Sequence, residues 1–427
     1  MNSSETTDNQ KCFYKFLENK NLYFSQETIE NYLLSLKTKP FVILTGNSGT
    51  GKTKLAQYFT KYLGNKIGNE NLLYELIPVG ANWTENRNIL GYENIITNSY
   101  HSTPALDLIL KAQNDMENPY FLILDEMNLS HVERYFSDFL SAMESGEAIP
   151  LYTERKIKVK NSEGNAIEKY NYEVFSSNGV LIPSKLEIPP NLFIIGTVNV
   201  DETTYMFSPK VLDRANVLEF ETIKPVDYKD FEENEDKKPN FADISFLEEV
   251  LYNNKYFNPI KEFGTQSNNI KEMSITDLKI ILDAVELLDD LKDELLKFQI
   301  VLKDSRFDFG FRVVNEILRF IVFTWVYEED YNENKFNRYF DTQIKQKILP
   351  KLHGSERELK ETLENLRTLC AYGRSIKYDE EPKDDFLKSL REKPEKSIKE
   401  SEYKESAKKL DKMLKVLEQQ KYVSFIN

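Results

Sequence analysis

Apolar and polar positions fall into two regimes along the chain. From Phe41 to about residue 222, short unbroken apolar runs alternate with stretches of helical spacing. FVIL (Phe41–Leu44), LLYELIPV (Leu72–Val79), YFLIL (Tyr120–Leu124), LFIIGTVN (Leu192–Asn199) and VLEFE (Val217–Glu221) read as strands, the continuous runs being those of strands buried on both faces. KLAQYFTKYL, TPALDLILKAQNDM and SHVERYFSDFLSAMESG read as helices. Thr103 is the cap of the second, Pro104 its first helical residue, and Gly146 closes the third. Strands alternating with helices predict an α/β domain with a parallel sheet covered on both faces.

The second regime is helical throughout. ITDLKIILDAVELLDDLKDELLKFQIVL sets Leu278, Ile281, Val285, Leu288, Leu295, Phe298 and Leu302 on one stripe, predicting one long helix of a bundle. FRVVNEILRFIVFTWVY and SERELKETLENLRTL are further helices, and SAKKLDKMLKVLEQQ recovers the pattern near the end. The pattern divides the chain into a tail and helix (1–39), an α/β core (40–222), a helical lid (223–372) and a charged helical extension (373–427). FSQETIENYLLSL, with Ser25 as its cap, is the helix ahead of the core. A linker, DYKDFEENEDKKPN, follows the core, and the chain from about residue 374 reads as charge-rich and partly mobile. Inside the core, residues 149–190 interrupt the alternation. IPLYTERKIKVK and YNYEVFSSNGVLIP around the turn-like NSEGN predict a β-hairpin insertion ahead of the strand that ends at Asn199.

Composition narrows the picture. The 427 residues suffice for two or three domains and carry a formal net charge of −14, which removes the simple argument for a chain that coats nucleic acid. No apolar stretch approaches a membrane span, and MNSSETTDNQ lacks the apolar core of a signal peptide. Two cysteines and three scattered histidines offer neither a disulfide framework nor a zinc cluster. A cytoplasmic protein without membrane contact is expected.

The chemistry starts where the first strand ends. GNSGTGKT (Gly46, Asn47, Ser48, Gly49, Thr50, Gly51, Lys52, Thr53) has the GxxxxGK[ST] spacing, with a strand before it and a helix after it. Its glycines let backbone N–H groups point inward at an anion, Lys52 brings a charge to the outer phosphates, and the Thr53 hydroxyl can ligate Mg²⁺. The helix N-terminus completes a triphosphate cradle. Hydrolysis needs more: a carboxylate for the metal, a group that orients water, and positive charge for the transition state. Asp125, at the carboxyl end of a buried strand, is the metal candidate, and Glu126 beside it the group that polarises water; the alternative is an acidic surface turn. Asn199 ends the next strand, placed to hold the water or the γ-phosphate. Arg214, in FSPKVLDRANVLEF, suits contact with a neighbouring subunit's nucleotide, or else an ion pair with Asp213 or another acid. Arg312, opening a lid helix, is a candidate for the γ-phosphate of its own subunit.

GNSGTGKT, LDEMNLSHVERYFSDFLSAMESGE, the hairpin insertion and FIIGTVNVDETTYMFSPKVLDRANVLEF together resemble the AAA+ motor of the McrB family, the NTP-hydrolysing subunit of McrBC-type modification-dependent restriction systems. The continuation through Asn128 and the GTVN strand end carry the likeness, and SPKVLDR is similar to MoxR and dynein-related relatives as well. Where that family usually has NTADR, this chain has NVDET (Asn199–Thr203).

The resemblance implies an AAA+ core with a small helical lid, assembled as a ring, a hexamer, with ATP or GTP and Mg²⁺ at each subunit interface. It implies a separately encoded McrC-like endonuclease whose stalk enters the pore, with DNA contacted indirectly or through that pore. The residues ahead of the core are too few for the DNA-reading domain common in the family. Trp83 and Arg87, in NWTENRNILGY, are candidates for gripping a partner, with a core position for Trp83 as the alternative. Two other readings compete: a MoxR-like ATPase that remodels a protein complex, and a nucleotide-gated scaffold, against which the Asp125–Glu126 pair argues.

Overall fold

The computed structural model describes residues 13–66, 73–97, 99–116, 118–153, 155–160, 166–171, 174–200, 205–221, 283, 286–303, 305–328, 331–378 and 382–426. Its main elements in chain order are α1 (Gln26–Thr38), β1 (Phe41–Gly46), α2 (Lys52–Lys66), β2 (Tyr74–Pro78), α3 (Pro104–Asn114), β3 (Tyr120–Asp125), α4 (Ser137–Ser145), β4 (Leu192–Asn199), β5 (Asn216–Phe220), α5 (Leu288–Leu302), α6 (Phe311–Tyr327), α7 (Glu333–Gln343), α8 (Glu356–Tyr372), α9 (Lys383–Arg391) and α10 (Lys404–Gln420). The β-elements named here pair in parallel. The fold is α/β, a parallel sheet with helices, with a helical region after the sheet. Among the described residues no helix is long and apolar enough to cross a membrane.

The chain forms two compact units. The first is built on α1, β1, β5 and helices α5 to α10. All six residues of β1 are buried, and β1 pairs in parallel with β5 from Val42 opposite Asn216 to Gly46 opposite Phe220. Ser25 caps α1 by accepting from the Thr28 amide at 3.1 Å. Below the start of β1 the core holds charge: Glu316 of α6 pairs with Lys39 and, at 2.5 Å, with Lys347. The Lys347 ammonium also donates to the Ala215 carbonyl at 2.7 Å. Burial pushes Lys39 down to about 8 against the pull of Glu316. Burial alone would push the Glu316 carboxyl up, but the two ammonium groups more than offset it and hold it below the usual carboxylate range.

The structure changes two readings of the helical half. Glu286 adopts φ of 58°, so α5 begins afresh at Leu288 instead of continuing a longer helix; Leu278, Ile281 and Val285 lie outside the described residues. The stretch from 374 onward, read as charge-rich and partly mobile, contains α9, while α10 is the helix that SAKKLDKMLKVLEQQ predicts. Their apolar residues are spaced three and four apart among the charges, and Phe386, Leu390, Leu410 and Met413 are buried. Tyr422–Ser424 then pairs antiparallel with His353–Ser355.

The second unit is built on α2, β2, α3, β3, α4 and most of β4. In it β3 is flanked by two parallel strands, with Tyr74 of β2 opposite Phe121 and Leu192 of β4 opposite Tyr120. Thr103 caps α3 through the Leu106 amide at 3.2 Å. The helix read as continuous from Ser130 to Gly146 breaks at Phe136, which adopts φ −112° and ψ 7° between Val132–Tyr135 and α4. The break lets consecutive aromatic residues, Tyr135 and Phe136, both be fully buried. The insertion contains a hairpin, but its strands are Arg155–Lys160 and Ala166–Asn171. Val174–Ser176 and Leu181–Ile182 instead join a four-stranded sheet with Tyr92–Asn94 and Ser99–His101.

Candidate nucleotide site

The loop after β1 is shaped by what its glycines touch. A Cβ on Gly46 would lie 2.5 Å from the Phe220 carbonyl, and one on Gly51, whose φ is 87°, would lie 2.9 Å from the Phe24 ring. Asn47, Ser48 and Gly49 are exposed at the tip, and the Thr50 hydroxyl donates to the Asn47 carbonyl at 2.9 Å. Lys52 opens α2 and is only 4% exposed. Its ammonium donates to the carbonyls of Gly46 and Asn47 at 2.8 and 2.6 Å. A buried ammonium needs such acceptors, and here they hold the charge within the loop itself.

Thr53 follows Lys52 directly, so the loop and the second unit's polar cluster are covalently continuous. The Thr53 hydroxyl donates to Asp125 Oδ1 at 2.7 Å. A second hydroxyl, that of Thr197 on β4, donates to the same oxygen at 2.6 Å, and it accepts from the Glu126 amide at 3.1 Å. Glu126 itself turns off β3 in the left-handed region, φ 53° and ψ 48°. Asn199 is half-buried at the end of β4, two residues beyond Thr197 and hence on the same face of the strand. The sequence reading missed Thr197. Its signal is a hydroxyl in an apolar run, and only the register, which ends with Gly196 opposite Leu124, brings it level with Asp125.

The arginines lie elsewhere. Arg214 is held in its own chain: Nε donates to the Leu140 carbonyl at 3.0 Å, Nη1 to the Lys210 carbonyl at 2.6 Å, and Nη2 pairs with Glu144. An intrachain ion pair is thus present. Arg312 stands one helical turn before Glu316 on α6, and its charge acts on Lys39, ahead of β1. Arg312, the candidate for its own subunit's γ-phosphate, is half-buried in the first turn of α6. Trp83 is half-buried with its ring edge-on to Tyr135 at 5.4 Å, while Arg87 is exposed and paired with Glu85 at 3.2 Å.

Beside the loop, within the first unit, lies a cavity of about 380 Å³ whose wall includes Phe24, Thr50, Phe220, Lys345, Gln346 and Lys408. Two aromatic rings, the lysines and four glutamates, Glu27, Glu219, Glu221 and Glu405, share this wall. The sequence reading identified none of the three residues from the helical half.

Among the described residues no group of three or more His, Cys, Asp or Glu could hold a metal by itself. Mg²⁺ in nucleotide sites needs less: one or two hard oxygen donors, with phosphates and waters supplying the rest. Thr53 and Asp125 meet that requirement. The Thr53 proton is committed to Asp125, which leaves the hydroxyl lone pairs for a cation.

Residues 41–215 match the family AAA domain (dynein-related subfamily), and residues 263–422 match a domain of unknown function, DUF8727. A crystal structure of a candidate ATPase from Cytophaga hutchinsonii is similar at 12% identity and a TM-score of 0.37, with 92% of this chain and 98% of that chain covered. No curated protein matches the chain.

Proposed function

We propose that this chain, whose residues 41–215 form an AAA domain of the dynein-related subfamily, hydrolyses ATP or GTP as the motor subunit of a ring that drives a separately encoded endonuclease of the McrC kind. The hydrogen-bonded set Thr53–Asp125–Thr197–Glu126 carries the hydrolytic half of this reading. Backbone N–H groups of Gly46–Thr53 hold the phosphates, and the Lys52 ammonium exchanges loop carbonyls for phosphate oxygens. Thr53 and Asp125 would hold Mg²⁺, which would supply charge neutralisation at the phosphates. Glu126 accepts a proton from the attacking water, and Asn199 fixes that water or the γ-phosphate. The cavity walled by Phe24, Phe220 and Lys345 receives the base and sugar. Arg214 acts on a neighbour's nucleotide once the ring forms, exchanging Glu144 for phosphate.

The McrBC reading rests on the run from Asp125 through Asn128, the hairpin insertion and the GTVN strand end. The same AAA domain also fits a MoxR-like ATPase that remodels a protein complex. One experiment separates them. The tagged chain is purified from its own host with a non-hydrolysable triphosphate, and the partners are identified by mass spectrometry. A nuclease of the PD-(D/E)xK type supports the restriction role; a metal-binding or von Willebrand-type protein with no nuclease overturns it. Phosphate release by wild type and Lys52→Ala tests the chemistry in parallel, and equal rates would remove the loop from it.

A further inference from the structure

We propose that Thr197 is a positioning residue that couples the metal-side carboxylate to the water-activating glutamate. The inference deepens the hydrolytic reading above and rests on it. Thr197 is 2% exposed, and the other fully buried residues of its strand, Leu192 to Gly196 and Val198, are apolar. A hydroxyl has one proton to donate and lone pairs to accept with. Here the proton goes to Asp125 Oδ1 at 2.6 Å and a lone pair receives the Glu126 amide at 3.1 Å. One side chain of β4 thus fixes two consecutive residues of the neighbouring strand end.

Both bonds matter to geometry. Asp125 Oδ1 collects two hydroxyl protons, from Thr53 and Thr197, which set the plane of the carboxylate and direct its second oxygen away from them. Glu126 occupies a backbone region that a residue with a side chain rarely adopts, φ 53° and ψ 48°, and such a conformation persists only where surrounding contacts hold it. The Thr197 bond at the amide and the Leu129 amide donating to the Glu126 carbonyl at 2.9 Å supply that hold. The preceding residue is matched to the same end: Gly196 has no Cβ because one would meet Met127 Sδ at 2.4 Å. Gly196 thereby admits Met127 under the turn while Thr197 ties the Asp125 carboxylate and the Glu126 amide just before it. Sequence pattern alone would rank Val equal to Thr here, since both are β-branched and of similar volume.

That equivalence makes the test. Thr197→Val keeps the shape and deletes the hydroxyl, whereas Thr197→Ser keeps the hydroxyl and deletes a methyl group. A role in packing predicts that Val is mild and Ser is the damaged variant; positioning predicts the reverse. The expected result is a kcat for Thr197→Val lower by roughly 10–100-fold, the range for groups that orient a metal's ligands. Its affinity for a fluorescent triphosphate should stay within about threefold of wild type, and Thr197→Ser should keep a kcat within about threefold. Amide hydrogen exchange at Glu126 provides a readout independent of turnover, faster in the Val variant and unchanged in the Ser variant. Val turning over as fast as Ser, or unchanged exchange at Glu126 in the Val variant, overturns the proposal. If wild type releases no phosphate from any triphosphate, the hydrolytic reading itself falls and takes this one with it.

Discussion

The Thr53 hydroxyl and the Asp125 carboxylate meet at 2.7 Å, with the proton on the threonine side. This polarity leaves threonine lone pairs and a carboxylate oxygen for a cation, so Asp125 should make triphosphate binding depend on Mg²⁺. Asp125→Asn keeps the shape but replaces one oxygen by an N–H donor. Wild type should bind a fluorescent triphosphate more tightly in Mg²⁺ than in EDTA, and the variant should lose roughly 10–100-fold of that enhancement. The same Mg²⁺ enhancement in both proteins would take Asp125 out of the cation's surroundings.

Glu126 should separate binding from turnover. Glu126→Gln retains the loop, Thr53 and Asp125, but an amide cannot accept a proton from water as a carboxylate does. Turnover should fall by about 10²–10⁴-fold, the usual contribution of a positioned general base, with triphosphate affinity unchanged. Any assembly that favours the triphosphate state should persist longer in this variant. Size-exclusion chromatography with ATP and with GTP reads the second effect, and quenched-flow phosphate release the first. Hydrolysis at the wild-type rate would move the base elsewhere.

How much of this was legible depends on the distance over which each feature is encoded. Gly46–Thr53 could be read directly, because its chemistry lies in the backbone of eight consecutive residues and in the strand and helix that flank it. The Ser25 and Thr103 caps are equally local, and the structure has both. Thr197 was not legible, since nothing in LFIIGTVN says which strand lies beside it or in which register. The pairing of Glu316 with Lys39 and Lys347 was out of reach for a related reason, since these residues lie far apart in the chain. The break at Phe136 shows tertiary burial overriding a continuous helical pattern.

Asp341 gives the helical half a pH-dependent seam. Its carboxylate accepts the Glu405 and Ser406 amides of α10 at 2.8 and 2.9 Å, and burial pushes the carboxyl up from 3.8 to about 6. The folded chain therefore holds this proton more tightly than the unfolded chain. The contribution to stability is full below about pH 4 and is lost as pH rises through 6, by at most about 3 kcal/mol. Asp341→Asn removes the titration at the cost of one acceptor, a loss that does not vary with pH. Urea midpoints measured from about pH 4 to 7 should thus shift in the variant's favour as pH rises. Parallel curves for the two proteins would show that Asp341 titrates normally.

Arg214 joins assembly to chemistry, and its intrachain contacts sharpen the test. Its guanidinium is held by the Leu140 and Lys210 carbonyls and by Glu144. If these contacts are its whole role, Arg214→Ala damages its own subunit and no other subunit can repair it. If the ring draws it onto a neighbour's nucleotide, Arg214→Ala leaves every phosphate loop intact but every site incomplete. Loss of such an arginine costs on the order of a thousandfold or more in turnover. Lys52→Ala is inactive for the opposite reason, with its loop broken and its Arg214 sound. Mixing the two inactive proteins should then restore phosphate release, because a Lys52→Ala subunit donates Arg214 to the intact loop beside it. We expect activity to rise from either pure variant to a maximum at an intermediate mixing ratio, measured separately in ATP and in GTP. Mixed assembly is first confirmed by co-purification of differently tagged subunits. No rescue at any ratio, in rings shown to be mixed, would leave Arg214 as the partner of Glu144 alone and take the trans arginine out of the mechanism.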